Sequence, residues 1–226
     1  MVYLLFTLCF IALVTPGLPL DQSTPKQIKA FRSLLKNDFR NLVQKVIPKG
    51  TPLEQVQIWF QDETRIGQQG SLSRLWAKKG TRPRVVRQQQ FMYQYIFGAV
   101  CPEEQTVAAI IAPSANAVTM PLHLEEISFH VPEGKHAVVV MDRAGWHRNQ
   151  MLKIPENISV LYLPPYSPEL NVQEPVWKVL KDRFFNNRVY KSSEEIAEVA
   201  CLAWKTWIQN PNEIASLCQR NWAKLC

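Results

Sequence analysis

At 226 residues, 46% of them hydrophobic and 20% charged, the chain is long enough to bury a full core and too apolar to be intrinsically disordered. Lys and Arg outnumber Asp and Glu by 26 to 19, a surplus that suits a polyanionic partner, nucleic acid first among them. Five cysteines without a C-x-x-C pair and four histidines outside zinc-finger spacing argue against a disulfide framework and a structural zinc site, and free thiols suit a reducing cytoplasm.

The chain opens on VYLLFTLCFIALV. No cation precedes this run, as one would in a signal peptide, and its length of about 13 residues falls short of the roughly 20 that span a bilayer. Residues 1–23 are therefore expected to stand outside the fold and residues 24–226 to form one domain, cytoplasmic and without stable membrane association; a secreted or tethered protein is the alternative. From Thr24, a plausible N-cap followed by Pro25, the apolar residues Ile28, Phe31, Leu35, Phe39, Leu42 and Val46 recur at helical steps until Pro48 and Gly50. VQIWFQD then alternates as a strand and is expected to stop on Asp62.

Residues 64–102 contain no acid but hold Arg65, Arg74, Lys78, Lys79, Arg82, Arg84 and Arg87. Seven cations without a carboxylate favour a phosphate-contacting surface, largely indifferent to base sequence, over a merely solvated face. The interleaved Trp76, Phe91, Tyr93 and Tyr95 admit a second role as core aromatics. FMYQYIFGAV and TVAAIIA, joined by CPEEQ, read as a hairpin or meander. A helix around LHLEEISF accommodates Pro121 in its first turn if it starts at Thr119. Two more strands follow, at VVVM and ISVLYLP, then a helix carrying Gln173, Leu180 and Phe184, and a last one opened by the capping box of Ser192 and Glu195. Strands interleaved with helices in this order imply an α/β sheet packed by helices.

Three acids stand out: Asp62 and Asp142 behind apolar strands, and Glu174 at a helix start. Each has a local alternative, a turn for the aspartates and the reciprocal half of an Asn171 cap for Glu174. Brought together, the three carboxylates would repel one another unless a hard cation neutralised them. Magnesium takes such oxygen ligands, and two such ions can clamp the attacking and leaving oxygens of a phosphoryl displacement. His147 can orient water or touch substrate, or pack beside Trp146. Lys178 and Lys181 can pair with Glu174 along the helix or meet DNA.

WFQDETRIGQQG, RLWAKKGTRPRV, YIFGAVCP, VVMDRAGWH and LPPYSPELNVQEPVWKVLK, in this order, resemble the catalytic domain of bacterial insertion-sequence transposases related to mariner, in the DDE superfamily of endonucleases. The resemblance runs from Thr24 to the C-terminus. It implies a ribonuclease H-like mixed sheet flanked by helices and a catalytic, metal-holding triad of Asp62, Asp142 and Glu174. It further implies two Mg²⁺ ions, with Mn²⁺ as substitute, and no small-molecule cofactor. The implied partner is double-stranded DNA, both transposon ends and target, engaged by a homodimer in the nucleoid; the implied reaction is hydrolysis at an element end followed by strand transfer. Glu169 is the neighbour most easily mistaken for the third acid. The chain departs from its relatives at Arg143, Val172 and Pro175, where they carry glycine, proline and asparagine. The apolar run also stands where full-length relatives place helix-turn-helix modules. These departures raise a non-enzymatic alternative, a fragment that binds DNA or intact transposase without cutting.

Overall fold

The computed structural model describes residues 25–70, 73, 76–81, 84–86, 88–143 and 152–225; the expectations for residues 1–23 and the N-cap at Thr24 lie outside them. Five strands form one mixed sheet: β1 (Val56–Gly67), β2 (Tyr93–Cys101), β3 (Thr106–Ala112), β4 (His136–Met141) and β5 (Ile158–Tyr162), in the order β3-β2-β1-β4-β5. β1, β2 and β3 run as an antiparallel meander, whereas β4 pairs in parallel with both β1 and β5. The parallel strand β4 is buried along its whole length, which explains why HAVVVM reads as a continuous apolar run.

Helices cover both faces. On one lie α1 (Pro25–Asn37), α2 (Phe39–Val46), α4 (Gln173–Leu180), α5 (Ser193–Trp207) and α6 (Pro211–Cys218), whose apolar residues share a core with Ile58, Phe60, Ile96, Val100, Val138 and Val140. On the other, α3 (Thr119–Phe129) packs Met120, Leu124 and Ile127 on Trp59, Phe97, Ala99, Val139 and Met141. Each strand thus sends alternate residues into alternate cores, the period of two that separates Phe60 from Trp59. Asp62 and Asp142 extend the even-numbered series of β1 and β4. They share the face on which α4 lies.

Three expectations need correction. The single helix from Thr24 to Val46 is two, because Asp38 (φ −120°, ψ 19°) leaves helical geometry; its N–H still donates to Leu34 O and its carbonyl still accepts from Leu42 N, so the chain bends without losing its apolar face. β1 does not stop on Asp62 but continues to Gly67, held by β2 alone after parallel pairing with β4 ends at Phe60 and Val140. The aromatics Trp76, Phe91 and Tyr93 are exposed, Trp76 fully, so the reading of them as core is overturned; Tyr95 is half-buried against the α3 core. The helix containing Pro121 does begin at Thr119, whose N–H donates to Asn116 Oδ1 at 3.0 Å. Ser192 caps α5 by accepting from Glu195 N at 3.2 Å.

Candidate active site

The sheet topology alone draws the two aspartates together. Phe60 and Val140 are register partners in the parallel β1–β4 ladder, and two residues beyond each lie Asp62 and Asp142. They emerge where the ladder ends, at the carboxyl edge of the parallel strands, the place where α/β sheets hold their sites. Glu174 stands in the first turn of α4 on the same face, exposed, as is Asp142.

Asp62 itself is far more enclosed, and its carboxyl is pushed up from 3.8 to about 7. Desolvation is the main cause, followed by the charge of Glu63; Glu174 and Asp142 add smaller increments, which places all three predicted acids within electrostatic reach of one another. One interaction opposes the rise: Trp177 Nε1 donates to Asp62 Oδ2 at 2.9 Å. The indole reaches it by crossing β2 at Gly98, the register partner of Asp62. A Cβ at Gly98 would stand 2.5 Å from Trp177 Cη2 and 3.0 Å from Trp204 Cη2. The glycine is therefore a packing requirement, one that lets an aromatic donor approach the strand closely.

Asn171 does the same for the helix. Its Nδ2 donates to Gln61 O at 2.9 Å in a buried bond, while its Oδ1 accepts from Gln173 N at 3.1 Å. One side chain thus ties the α4 start to the strand residue beside Asp62, and Glu174 is aimed by that tether. Pro175 falls in the first turn of α4, where its missing N–H costs nothing. Arg143 turns its Nε to Leu163 O at 3.2 Å, fastening the end of β4 to the segment after β5. Glu169 stands apart, paired with Arg32 at 2.9 Å. The same guanidinium donates to Ser167 Oγ at 2.9 Å and to Tyr166 O.

The cations divide into two groups. Lys178 and Lys181 line a cleft of about 260 Å³ with Glu174, Trp177, Asp182 and Asn186, so they belong to the carboxylate neighbourhood. Arg65 is exposed on β1, three residues past Asp62, with its guanidinium 5.1 Å from the Tyr93 ring centroid. Lys78, Lys79 and Arg84 are exposed on the long connection from β1 to β2, where the described residues form no helix or strand. Arg74, Arg82, Arg87 and His147 lie outside the described residues. Among the described residues, no three His, Cys, Asp or Glu side chains are drawn close enough to hold an ion as they stand. The sequence assigned neither Trp177 nor Gly98 to the site, and it offered Asn171 only as a cap partner of Glu174. An indole crossing to another strand leaves no local signature, although the glycine breaking the apolar run YIFGAV was a visible hint of close approach.

Three comparisons bear on this arrangement. The sequence profile of the DDE superfamily endonuclease family matches residues 57–197, more than half of the chain. The Uncharacterized protein y4pE/y4sA of Sinorhizobium fredii is 42% identical over 132 residues, covering 58% of this chain and 98% of its own. The fold is that of Mos1 transposase in its paired-end complex with left transposon end, with a TM-score of 0.62 at 13% identity over 90% of this chain. The Mos1 Strand Transfer Complex matches at 0.56, also with 13% identity and over 91% of the chain. The chain spans 62% of the first of those Mos1 chains. A ribonuclease H-like mixed sheet flanked by helices, as the sequence led one to expect, is thus the observed architecture, and the chain belongs to the DDE superfamily endonuclease family.

Proposed function

We propose that the chain is a transposase catalytic domain that cuts phosphodiester bonds at transposon ends with divalent metal and joins the freed end to target DNA. The observation that carries the reading is Asp62, held up to about 7 by burial and by three neighbouring carboxylates at the carboxyl edge of the parallel strands. A desolvated carboxyl with further acids in electrostatic reach is a place that a cation would neutralise. The donor set is oxygen only, which fits Mg²⁺ or Mn²⁺. Asp62, Asp142 and Glu174 would hold the metal, whose chemistry when bound is to lower the pKa of an attacking water or hydroxyl and to neutralise charge on the leaving oxygen. Mos1 complexes with Mn and with Mg support that choice.

The residues of this chain supply the rest. Trp177 occupies one Asp62 oxygen, Oδ2, with an N–H and so fixes the orientation of that carboxyl. Asn171 fixes the direction of α4 and hence of Glu174. Lys178 and Lys181, on the cleft walls, and Arg65, Lys78, Lys79 and Arg84, on the long connection and its strand, offer cations to the DNA backbone; Arg74, Arg82, Arg87 and His147 are assigned to the same surface from sequence. Because the Mos1 neighbours are paired-end complexes, we extend the proposal to a homodimer on DNA. The experiment is cleavage of supercoiled plasmid in Mn²⁺ by the parent chain and by Asp62→Asn. Nicking by the parent, lost in the variant without loss of fold, supports the reading; equal nicking by both contradicts it.

One observation favours a second reading, a chain that binds DNA or an intact transposase without cutting. No three carboxylates among the described residues are gathered closely enough to cage an ion. Absence of metal binding in the parent chain would give that reading the lead.

A further inference from the structure

Gln173 is the exception on the buried face of α4. From that face Val176, Trp177 and Leu180 turn into the core, at the three- and four-residue spacing that puts side chains on one side of a helix. Gln173 continues the same stripe one turn earlier and has no exposed surface, yet among the described residues neither Nε2 nor Oε1 of its carboxamide finds a hydrogen-bond partner. A buried amide without partners destabilises the fold that contains it, and an apolar side chain of the same length would fill the position without that penalty. A polar group kept there points to a use outside the folding of the empty protein.

Two ties bracket the place where it is kept. Before it, Asn171 accepts from Gln173 N at 3.1 Å and donates to Gln61 O at 2.9 Å, which pins the first turn of α4 to β1. One turn after it, Trp177 donates to Asp62 Oδ2 at 2.9 Å. The ties land on consecutive residues of β1, and Gln173 stands between them on the buried face of the helix, while the adjacent Glu174 is exposed. An amide suits this place. It adds no charge to the three acids, and its NH₂ group offers donors to a carboxylate. Carboxylates that ligate a metal are in turn held by hydrogen bonds, and these supporting partners govern metal affinity.

We propose that Gln173 is a positioning residue whose carboxamide is reserved for the Asp62 carboxylate when a divalent cation occupies Asp62, Asp142 and Glu174. The inference rests on the metal-dependent reading above and deepens it: α4 steadies Asp62 through Trp177 in the empty protein, and through Gln173 as well once the ion is bound.

The test compares the full chain with Gln173→Met, which keeps the length of the side chain and removes its polar atoms. Thermal melts without divalent ion should show a Tm higher by about 2 °C or more in the variant, whereas calorimetry should show its affinity for Mn²⁺ lower by roughly tenfold or more. A residue with a structural role alone would not move these two readings in opposite directions. Tyr190→Phe is the control, because it removes a different buried and unpartnered group, the Tyr190 hydroxyl, and should leave Mn²⁺ affinity unchanged. Mn²⁺ binding by Gln173→Met equal to that of the parent overturns the proposal, as does a lower Tm without ion or a matching loss of affinity in Tyr190→Phe. A parent chain that binds no Mn²⁺ sinks the metal-dependent reading and this inference with it, whereas a parent that binds beside an unaltered variant sinks the role of Gln173 alone.

Discussion

Asp62 concentrates the residue-scale argument, since burial and like charge oppose its ionisation while a single indole N–H favours it. With a folded value of about 7 and an ordinary value of 3.8, the folded protein retains a proton that the unfolded chain releases. The Asp62 contribution to stability without metal is then greatest below 3.8 and is lost as pH rises to about 7, with a ceiling of about 1.4 kcal/mol per pH unit. Urea melts from pH 4 to 7 should show that decline, and Asp62→Asn should flatten it. Removing the opposing bond in Trp177→Phe keeps most of the packing but leaves Asp62 less well solvated; the loss should be about 1–3 kcal/mol by the same melts. Gly98→Ala forces a methyl against two indoles and should cost about 1–3 kcal/mol of stability. The acids were legible in the sequence because each follows an apolar run or opens a helix. Their partners were not, since Trp177 meets Asp62 across 115 positions and Asn171 meets Gln61 across 110.

The elements follow the sequence where periodicity is strong and depart from it where tertiary contacts decide. β1 outruns Asp62 because β2 continues to pair with Glu63 through Gly67, and a partner strand is invisible in the alternation of one segment. The same overrun creates the open edge of β1 beside the carboxylates, a feature the sequence did not disclose. α1 and α2 share one apolar face, so the pattern could not report the bend at Asp38. Two tethers hold the segment before α4, and their strengths differ. The Asn171 bond to Gln61 O is buried, so Asn171→Ala should cost about 1–3 kcal/mol and, by loosening the α4 start, weaken Mn²⁺ binding. The Arg32–Glu169 pair is one-third to one-half exposed, so Glu169→Gln should change stability by less than about 1 kcal/mol. Paired chemical denaturation of the two variants separates these outcomes.

Across the whole molecule, cations outnumber acids. Arg65, Lys78, Lys79, Arg84 and Lys178 are exposed, within a chain of formal charge +7. Affinity for DNA should therefore fall steeply with salt, by roughly 10³ between about 50 and 200 mM if six phosphates are contacted, and depend little on sequence. Salt-insensitive, sequence-specific binding in a gel-shift series would contradict that account. Asp62 and Asp142 stand just past the point where the parallel β1–β4 pairing ends in order to hold a metal, and calorimetry of Mn²⁺ with the full chain and with Asp142→Ala tests this most directly. The account expects binding in the parent, with protons released near pH 7 as Asp62 ionises, and its loss in a folded Asp142→Ala. Equal binding in the two proteins would contradict it.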